Sequence, residues 1–474
     1  MEPSERELLE RTAALAADFI ESLDERRVFP EASIEELGAA LGGPLPDRPS
    51  DPLEVIERLA ADAERGVVAT PSGRYFGYVI GGSVPAALAA DWLTSAWDQC
   101  AAFGVLGPSA SVVEEVAGGW LKELFGLAPT CSFALTTGCQ MAHVTALAVA
   151  RHAVLERAGW DLAEDGLAGS PPITVIAGAA RHTTLDRALR LLGIGGAQIQ
   201  AVEADDQGRI VAAALEATLE RTRGPVIVCA QAGEVNTGSF DPLADIASLV
   251  RGTDAWLHVD GAFGLWAAAS PELSHLVEGI EHADSCAADG HKWLNVPYDC
   301  GLAFCADPDA HRAAMTARAA YYAGAGDWHR DAFDWTPESS RRARGFPLYA
   351  ALRSLGRSGV ADLVDRCCAR ARQAAEGVAA LPGCTLLNDV VLNQVLFRFE
   401  DERTTDAVID HVQAGGEAWL GGTTWEGRRA IRLSVSSWRT SEDDIDRTLA
   451  ALADGVRAAA YAQPAAARAS SSDA

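Results

Sequence analysis

The stretch Asp284-Ser285-Cys286-Ala287-Ala288-Asp289-Gly290-His291-Lys292-Trp293, read with His258-Val259-Asp260-Gly261-Ala262 before it, decides the fold. Each is a short apolar run that leads into a charged group, Asp260 in the first and Lys292 in the second. Nearly continuous apolar runs of this length belong to strands covered on both faces. Working outward, Ile173 to Ala177, Pro225 to Ala230 and Gly301 to Cys305 read the same way, with helical segments between them. Such alternation predicts a mostly parallel α/β sheet with helices on both sides, whose ligands gather at the carboxyl ends of the strands. Asp260 and the segment leading to Lys292 both fall there.

A lysine and a carboxylate so placed are what a pyridoxal phosphate site requires. The amine holds the coenzyme's aldehyde covalently, and the carboxylate keeps the pyridine nitrogen protonated so that the ring can accept electrons. Alone, a lysine after a strand is a solvated charge, and an aspartate ending an apolar run is often a helix cap. Their pairing in apolar context, with Trp293-Leu294 following, favours the cofactor reading. Leu135-Thr136-Thr137-Gly138-Cys139-Gln140 runs directly into a helical segment, and the free N–H groups at such a junction form a phosphate cradle. Arg181-His182-Thr183-Thr184 follows the strand at Ile173 to Ala177. Thr183 with Asp186 is expected to cap the next helix, which leaves His182 at the strand's end, able to lie on a pyridine ring and to move protons.

The chain has 474 residues, 49% hydrophobic and 22% charged, more than one core usually holds. Its formal net charge of −27 disfavours nucleic acid and anionic membrane as partners. The 10 cysteines show no C-x-x-C pair and no metal-finger spacing, so no metal is expected and a reducing, cytoplasmic setting is. The sequence opens without a basic region and apolar segment, and its longest apolar stretches are broken too early for a membrane span.

Four regions are expected. Residues 1–70, with Leu8, Leu15, Ile20 and Leu23 at helical spacing, form an N-terminal helical arm. Residues 71–340 form the large cofactor-binding domain. Residues 341–460 read as a small α+β domain, with strands at Gln394 to Phe399 and Ala430 to Val435 and helices beginning near Thr404 and Ser441. Residues 461–474, rich in Ala and Ser, are expected to be a disordered tail.

Taken in order, these segments resemble the pyridoxal phosphate dependent group II amino acid decarboxylases, the aromatic L-amino acid, glutamate and histidine decarboxylase group. The resemblance runs from Arg74-Tyr75-Phe76-Gly77-Tyr78 through the specific block His291-Lys292-Trp293-Leu294-Asn295-Val296-Pro297-Tyr298-Asp299-Cys300-Gly301 to Ile431-Arg432-Leu433-Ser434. It implies an aspartate aminotransferase-like fold (fold type I) and a homodimer with the active site at the subunit interface. It also implies that Lys292 carries pyridoxal 5'-phosphate, Asp260 pairs with its ring nitrogen, Ala262 lies beneath the ring and His182 stacks above it. Gly138, Cys139, Gln140 and His291 would hold the phosphate, and Arg432 the substrate carboxylate through a bidentate guanidinium. Tyr321 would return a proton to the substrate carbon. Tyr75 and Phe76, with Trp97 and Phe103, fall where relatives line the substrate pocket, which favours an aromatic L-amino acid. Glu234 stands where many relatives carry a neutral Thr or Asn near the cofactor, and a carboxylate there would alter substrate choice or local protonation. The implied reaction is decarboxylation to an amine. Aldehyde-forming oxidative deamination, transamination, another carbon–carbon bond reaction on the same scaffold and a non-catalytic role remain alternatives, because fold alone does not choose among them.

Overall fold

The computed structural model describes residues 4–316 and 330–469, with side chains in the last helix through Tyr461. Seven strands form the main sheet: β1 (Ser132–Thr136), β2 (Thr174–Gly178), β3 (Ile199–Val202), β4 (Val226–Gln231), β5 (Trp256–Asp260), β6 (Ser285–Asp289) and β7 (Gly301–Cys305). Their order is β1-β7-β6-β5-β4-β2-β3. Strands β2 to β6 pair in parallel, while β7 runs antiparallel to both β6 and β1. Every strand but β7 therefore points the same way, and the carboxyl ends of β1, β2, β4, β5 and β6 share one edge. The sequence reading anticipates the parallel sheet but omits β1 and β3.

Residues of β1, β4, β5, β6 and β7 are all buried, as expected of strands covered on both faces. The helix Cys139–Arg157, which leaves β1 directly, carries 12 buried residues on several of its faces. A helix apolar nearly all round belongs in a core. Its Leu147, Val154 and Leu155 pack in one cluster with Val175, Leu185, Leu189, Ile227 and Trp256. Gly301 begins β7 opposite Thr136 and Asp289, and a Cβ there would meet Gly138 C at 2.3 Å, so only glycine lets the two backbones approach.

The chain divides into two compact units, Gly81–Arg372 with Leu387–Val395, and Met1–Ile80 with Gln373–Leu386 and Leu396–Ala474. This division differs from the expected one at both ends. The N-terminal segment is not a separate arm but joins the C-terminal segments. Buried Arg74 donates to the carbonyls of Asp24, Arg26 and Glu417, and Val28 N–H donates to Gly416 O. The second unit carries most of a four-stranded sheet, order β10-β11-β9-β8, made of β8 (Cys384–Leu386), β9 (Gln394–Phe399), β10 (Gly421–Trp425) and β11 (Arg428–Ser434). Its last helix, Glu442–Ala469, is capped by Ser441, which exchanges hydrogen bonds with Asp444. That helix runs on over residues 461–469, where the composition suggests a disordered tail.

Candidate active site

The carboxyl edge of the main sheet opens into a cavity of about 270 Å³. Asp260, Lys292, His182, Gly138, Cys139 and Gln140 all line it, as do Ala262 and His291. The acid and the amine that the sequence singles out thus face a single space. All eight come from the segments that end β1, β2, β5 and β6.

Lys292 Nζ lies 3.1 Å from Asp289 Oδ2, and Asp289 is buried at the end of β6. Burial works to lower the lysine's pKa, but the charge of Asp289, with its hydrogen bond, and the charge of Asp260 outweigh it and hold the amine above its ordinary value. The other Asp289 oxygen accepts the Cys139 N–H at 2.6 Å. The sequence reading gave Asp289 no role and set the Cys139 main chain toward a phosphate. In this arrangement that amide is already engaged by a carboxylate, so the remaining donors at the helix start would carry more of the phosphate contact.

Asp260 ends β5. Its Oδ1 accepts the Ala262 N–H at 3.1 Å, and its Oδ2 lies 3.3 Å from His143 Nε2. Burial tends to raise this carboxyl. The hydrogen bond from His143 and the charge of Lys292 oppose it, and the group stays ionised well below the usual carboxylate range. His143 lies in the helix Cys139–Arg157, is wholly buried, and was not among the expected residues. Cys139 Sγ is 3.4 Å from its Nε2. Burial, then Asp289 and Asp260, push the Cys139 thiol well up, so it stays protonated. Cys139, His143 and Asp260 hold donor atoms within 4.8 Å of one another, a clustering that the carboxylate–imidazole pair accounts for.

His182 is itself the N-cap of the helix Thr183–Leu191, in place of the expected Thr183. Its Nδ1 accepts from the Thr184 N–H at 3.4 Å and lies 2.7 Å from Thr184 Oγ1, which puts the proton of the neutral ring on Nε2. Asp186 instead grips Arg181 through two contacts of 2.7 and 3.3 Å. Gln140 Nε2 donates to Thr184 O at 3.2 Å, tying the phosphate-side helix to the His182 loop. His291 Nδ1 accepts the Cys300 N–H at 3.1 Å, and its ring lies 4.4 Å from that of Tyr298, another cavity residue the sequence reading passed over.

Other expected residues stand apart. Glu234 is buried, but its carboxylate accepts from Asn236 N, Asn236 Nδ2 and Thr237 N at 2.6 to 2.9 Å. It closes its own turn rather than facing the cavity, whose wall there is Gly233 and Val235. Tyr75, Phe76 and Arg432 belong to the other compact unit. There Tyr75 stacks on Trp419 at 5.0 Å, Phe76 is fully buried, and Arg432 sits in β11 opposite Gly421. Trp97 packs edge-on to Phe346, and Phe103 stacks on Phe333. Tyr321 lies outside the described residues.

The residues around the cavity suit pyridoxal phosphate. They offer an amine for the aldehyde, a fixed anion for the ring nitrogen and a helix start for the phosphate. Gly138, at φ +122°, leaves open space that a Cβ would close against His291 Cε1 at 3.1 Å. A strand-end lysine and carboxylate sharing one cavity of a mostly parallel sheet define a pyridoxal phosphate enzyme of the aspartate aminotransferase-like fold. The sequence model of the pyridoxal-dependent decarboxylase conserved domain matches residues 35–400, and the chain belongs to that family. It is 32% identical over 389 residues to an L-2,4-diaminobutyrate decarboxylase of Rhizobium meliloti (strain 1021), covering 79% of this chain and 76% of that one. It is 31% identical over 300 residues to an aromatic-L-amino-acid decarboxylase of Bacillus atrophaeus, covering 62% and 60%. The crystal structure of Oryza sativa TDC with PLP and tryptamine superposes with a TM-score of 0.89 at 22% identity, over 95% of this chain and 97% of that one. The protein is a pyridoxal phosphate dependent carboxy-lyase acting on an amino acid.

Proposed function

We propose that the chain decarboxylates an aromatic L-amino acid to its amine, and that Lys292, Asp260, His182 and Ala262 are the residues that do it. The observation that carries the reading is that Lys292 and Asp260 line the same cavity. When bound there, the coenzyme supplies an electron-accepting ring for the pair left behind as carbon dioxide departs. Lys292 would supply the anchoring amine and Asp260 an anion for the protonated ring nitrogen, and His182 and Ala262, which line the same cavity, would flank the ring. Val235, Phe263 and Tyr298 give the cavity apolar surface, which favours an aromatic side chain, as does the likeness to the Bacillus atrophaeus enzyme. Arg432 as carboxylate clamp and Tyr321 as proton donor belong to the same proposal and rest on the motif resemblance.

A homodimer is part of this reading. Trp92, Leu93 and Trp97 on the helix Pro85–Trp97 are roughly half exposed, as are Val105, Leu106 and Val112 nearby in the chain. Exposed apolar side chains on this scale mark a surface that another protein covers. A cytoplasmic location is supported by the ten cysteines, all of them free. Among the described residues, no helix is long and apolar enough to cross a membrane.

Incubation with a panel of L-amino acids, measuring carbon dioxide, amine, ammonia and aldehyde, tests the reaction. Carbon dioxide and amine in equal amounts from an aromatic substrate are expected, and both should vanish in Lys292→Ala along with the visible absorbance. Ammonia with aldehyde would mean oxidative deamination instead, and a colourless protein that takes up no coenzyme would end the reading.

A further inference from the structure

Behind Asp260 runs a closed line of polar groups that the reaction itself does not use. His143 Nδ1 lies 3.0 Å from His258 Nε2, and His258 Nδ1 lies 2.9 Å from Ser285 Oγ. Ser285 Oγ in turn accepts the indole N–H of Trp256 at 2.8 Å. His143, His258 and Trp256 have no exposed surface, and Ser285 has 2%. Two neighbouring imidazoles in a core are costly unless every nitrogen is matched, since each buried polar group without a partner is destabilising.

The matching has one solution for neutral rings. An ionised carboxylate only accepts, so His143 Nε2 must carry the proton that faces Asp260. His143 Nδ1 is then bare and takes the His258 Nε2 proton. His258 Nδ1 is bare in turn and takes the Ser285 hydroxyl proton. Trp256, a donor only, occupies the remaining side of the serine oxygen and leaves its proton free for His258. Burial presses the His258 pKa down to about 3, which agrees with a neutral ring there.

We propose that His143 is a positioning residue which, held in its Nε2–H tautomer by His258 and Ser285, fixes Asp260 as an oriented anion against the ring nitrogen. The groups facing the pair from its surroundings are Cys139, His258, Lys292 and His182, and of these only His258 addresses the far nitrogen of His143. With the line almost wholly shut off from solvent, its polarity is set at folding and does not follow the bulk. Without the His143 N–H, the buried carboxyl becomes more basic, and the proton shared with the ring nitrogen moves onto Asp260.

This inference rests on the reading of Asp260 as the partner of the ring nitrogen, and two measurements separate the two. Nitrogen NMR of the full chain carrying labelled histidine should show His143 and His258 both neutral with the proton on Nε2. A proton on His143 Nδ1, or a doubly protonated His143, overturns the proposal. The chain loaded with ring-nitrogen-labelled pyridoxal phosphate should show a protonated pyridine in the wild type and in His143→Gln, whose amide can still donate to Asp260. In His143→Leu the signal should move to the unprotonated position, with coenzyme affinity falling roughly 10- to 100-fold, as expected for losing a hydrogen bond to a charged group. A folded His143→Leu with an unchanged pyridine signal overturns it equally. Should the wild type take up no coenzyme, the cofactor reading fails, and the histidine spectrum still decides the polarity of the line.

Discussion

Lys292 Nζ and Asp289 Oδ2 form a 3.1 Å ion pair at the mouth of β6, three residues apart in the chain. The amine proposed to hold the coenzyme's aldehyde is therefore stored as an ammonium. Asp289→Asn keeps an oxygen to accept the Cys139 N–H and removes the charge. An opposite charge at this range typically shifts a pKa by roughly 1–3 units. Coenzyme uptake by the variant should accordingly reach its full rate at least about one pH unit lower than in the wild type. Stopped-flow absorbance across a pH series checks this, and superimposable profiles would remove Asp289 from the account.

A second buried charge cluster anchors the segment that follows residue 329. Glu114 takes Arg341 Nη1 at 2.8 Å and Arg330 Nη1 at 3.6 Å, and all three side chains are at most 11% exposed. Arg341 also donates to the carbonyls of Ala101 and Leu135, and so ties this segment to β1. Glu114→Ala would leave two guanidinium groups without their anion. Breaking a buried pair from one side costs about 3–5 kcal/mol. Urea unfolding should show a loss of that order, and a loss under about 1 kcal/mol would mean that water reaches the cluster.

How much of this site a reader could take from the sequence depends on whether each role is set locally. Asp260 and Lys292 were legible because an apolar strand that stops at a charge is a local signal, and parallel strands bring their ends together. His143 was not. It sits in mid-helix among Ala142, Val144 and Thr145, and only the packing of that helix on β5 gives it Asp260 and His258 as neighbours. Strand β3 escaped notice because it has four residues and only Val202 is buried, too short and too exposed to show a pattern. Glu234 is the opposite case. Its donors, Asn236 and Thr237, lie two and three residues on, so the turn that claims its carboxylate was readable in principle and was set aside for a substrate role. The unit boundaries were hidden because Arg74 reaches the carbonyl of Glu417, 343 positions away in the chain.

Buried neutral histidines predict how the fold responds to acid. His311 lies between Ser132 Oγ at 2.8 Å and the carbonyl of Trp335 at 2.9 Å, and burial lowers its pKa to about 4. Unfolded, it would titrate near the ordinary 6.5. Between those values the unfolded chain binds a proton that the native chain does not, so stability falls as pH falls through the window, by about 1.4 kcal/mol per pH unit. Asp241 acts oppositely, because burial raises it to about 7, and its contribution grows as pH falls from there toward 3.8. The net slope therefore mixes signs, and the variant difference isolates the histidine. His311→Gln should flatten its share, so that wild type minus variant stability declines by about one proton's worth between pH 6 and 4.5. Parallel curves for the two proteins would show that His311 is solvated in the native state.

The apolar surface on the helix Pro85–Trp97 predicts the assembly state. Leu93 and Trp97 are four residues apart and share a helix face, Trp92 adjoins it, and each is 45 to 49% exposed. Trp97 already packs on Phe346, so the cleaner probes are Trp92 and Leu93. Substitution of these half-exposed residues by glutamate should alter monomer stability little, within about 0.5–1 kcal/mol. Placing two carboxylates in a dry interface, and two more across a twofold axis, should cost several kcal/mol of association, because unpaired charges are not tolerated there. Sedimentation at micromolar concentration should thus give a dimer for the wild type and a monomer for Trp92→Glu/Leu93→Glu. If both sediment alike, the exposed face of this helix is not where two copies meet.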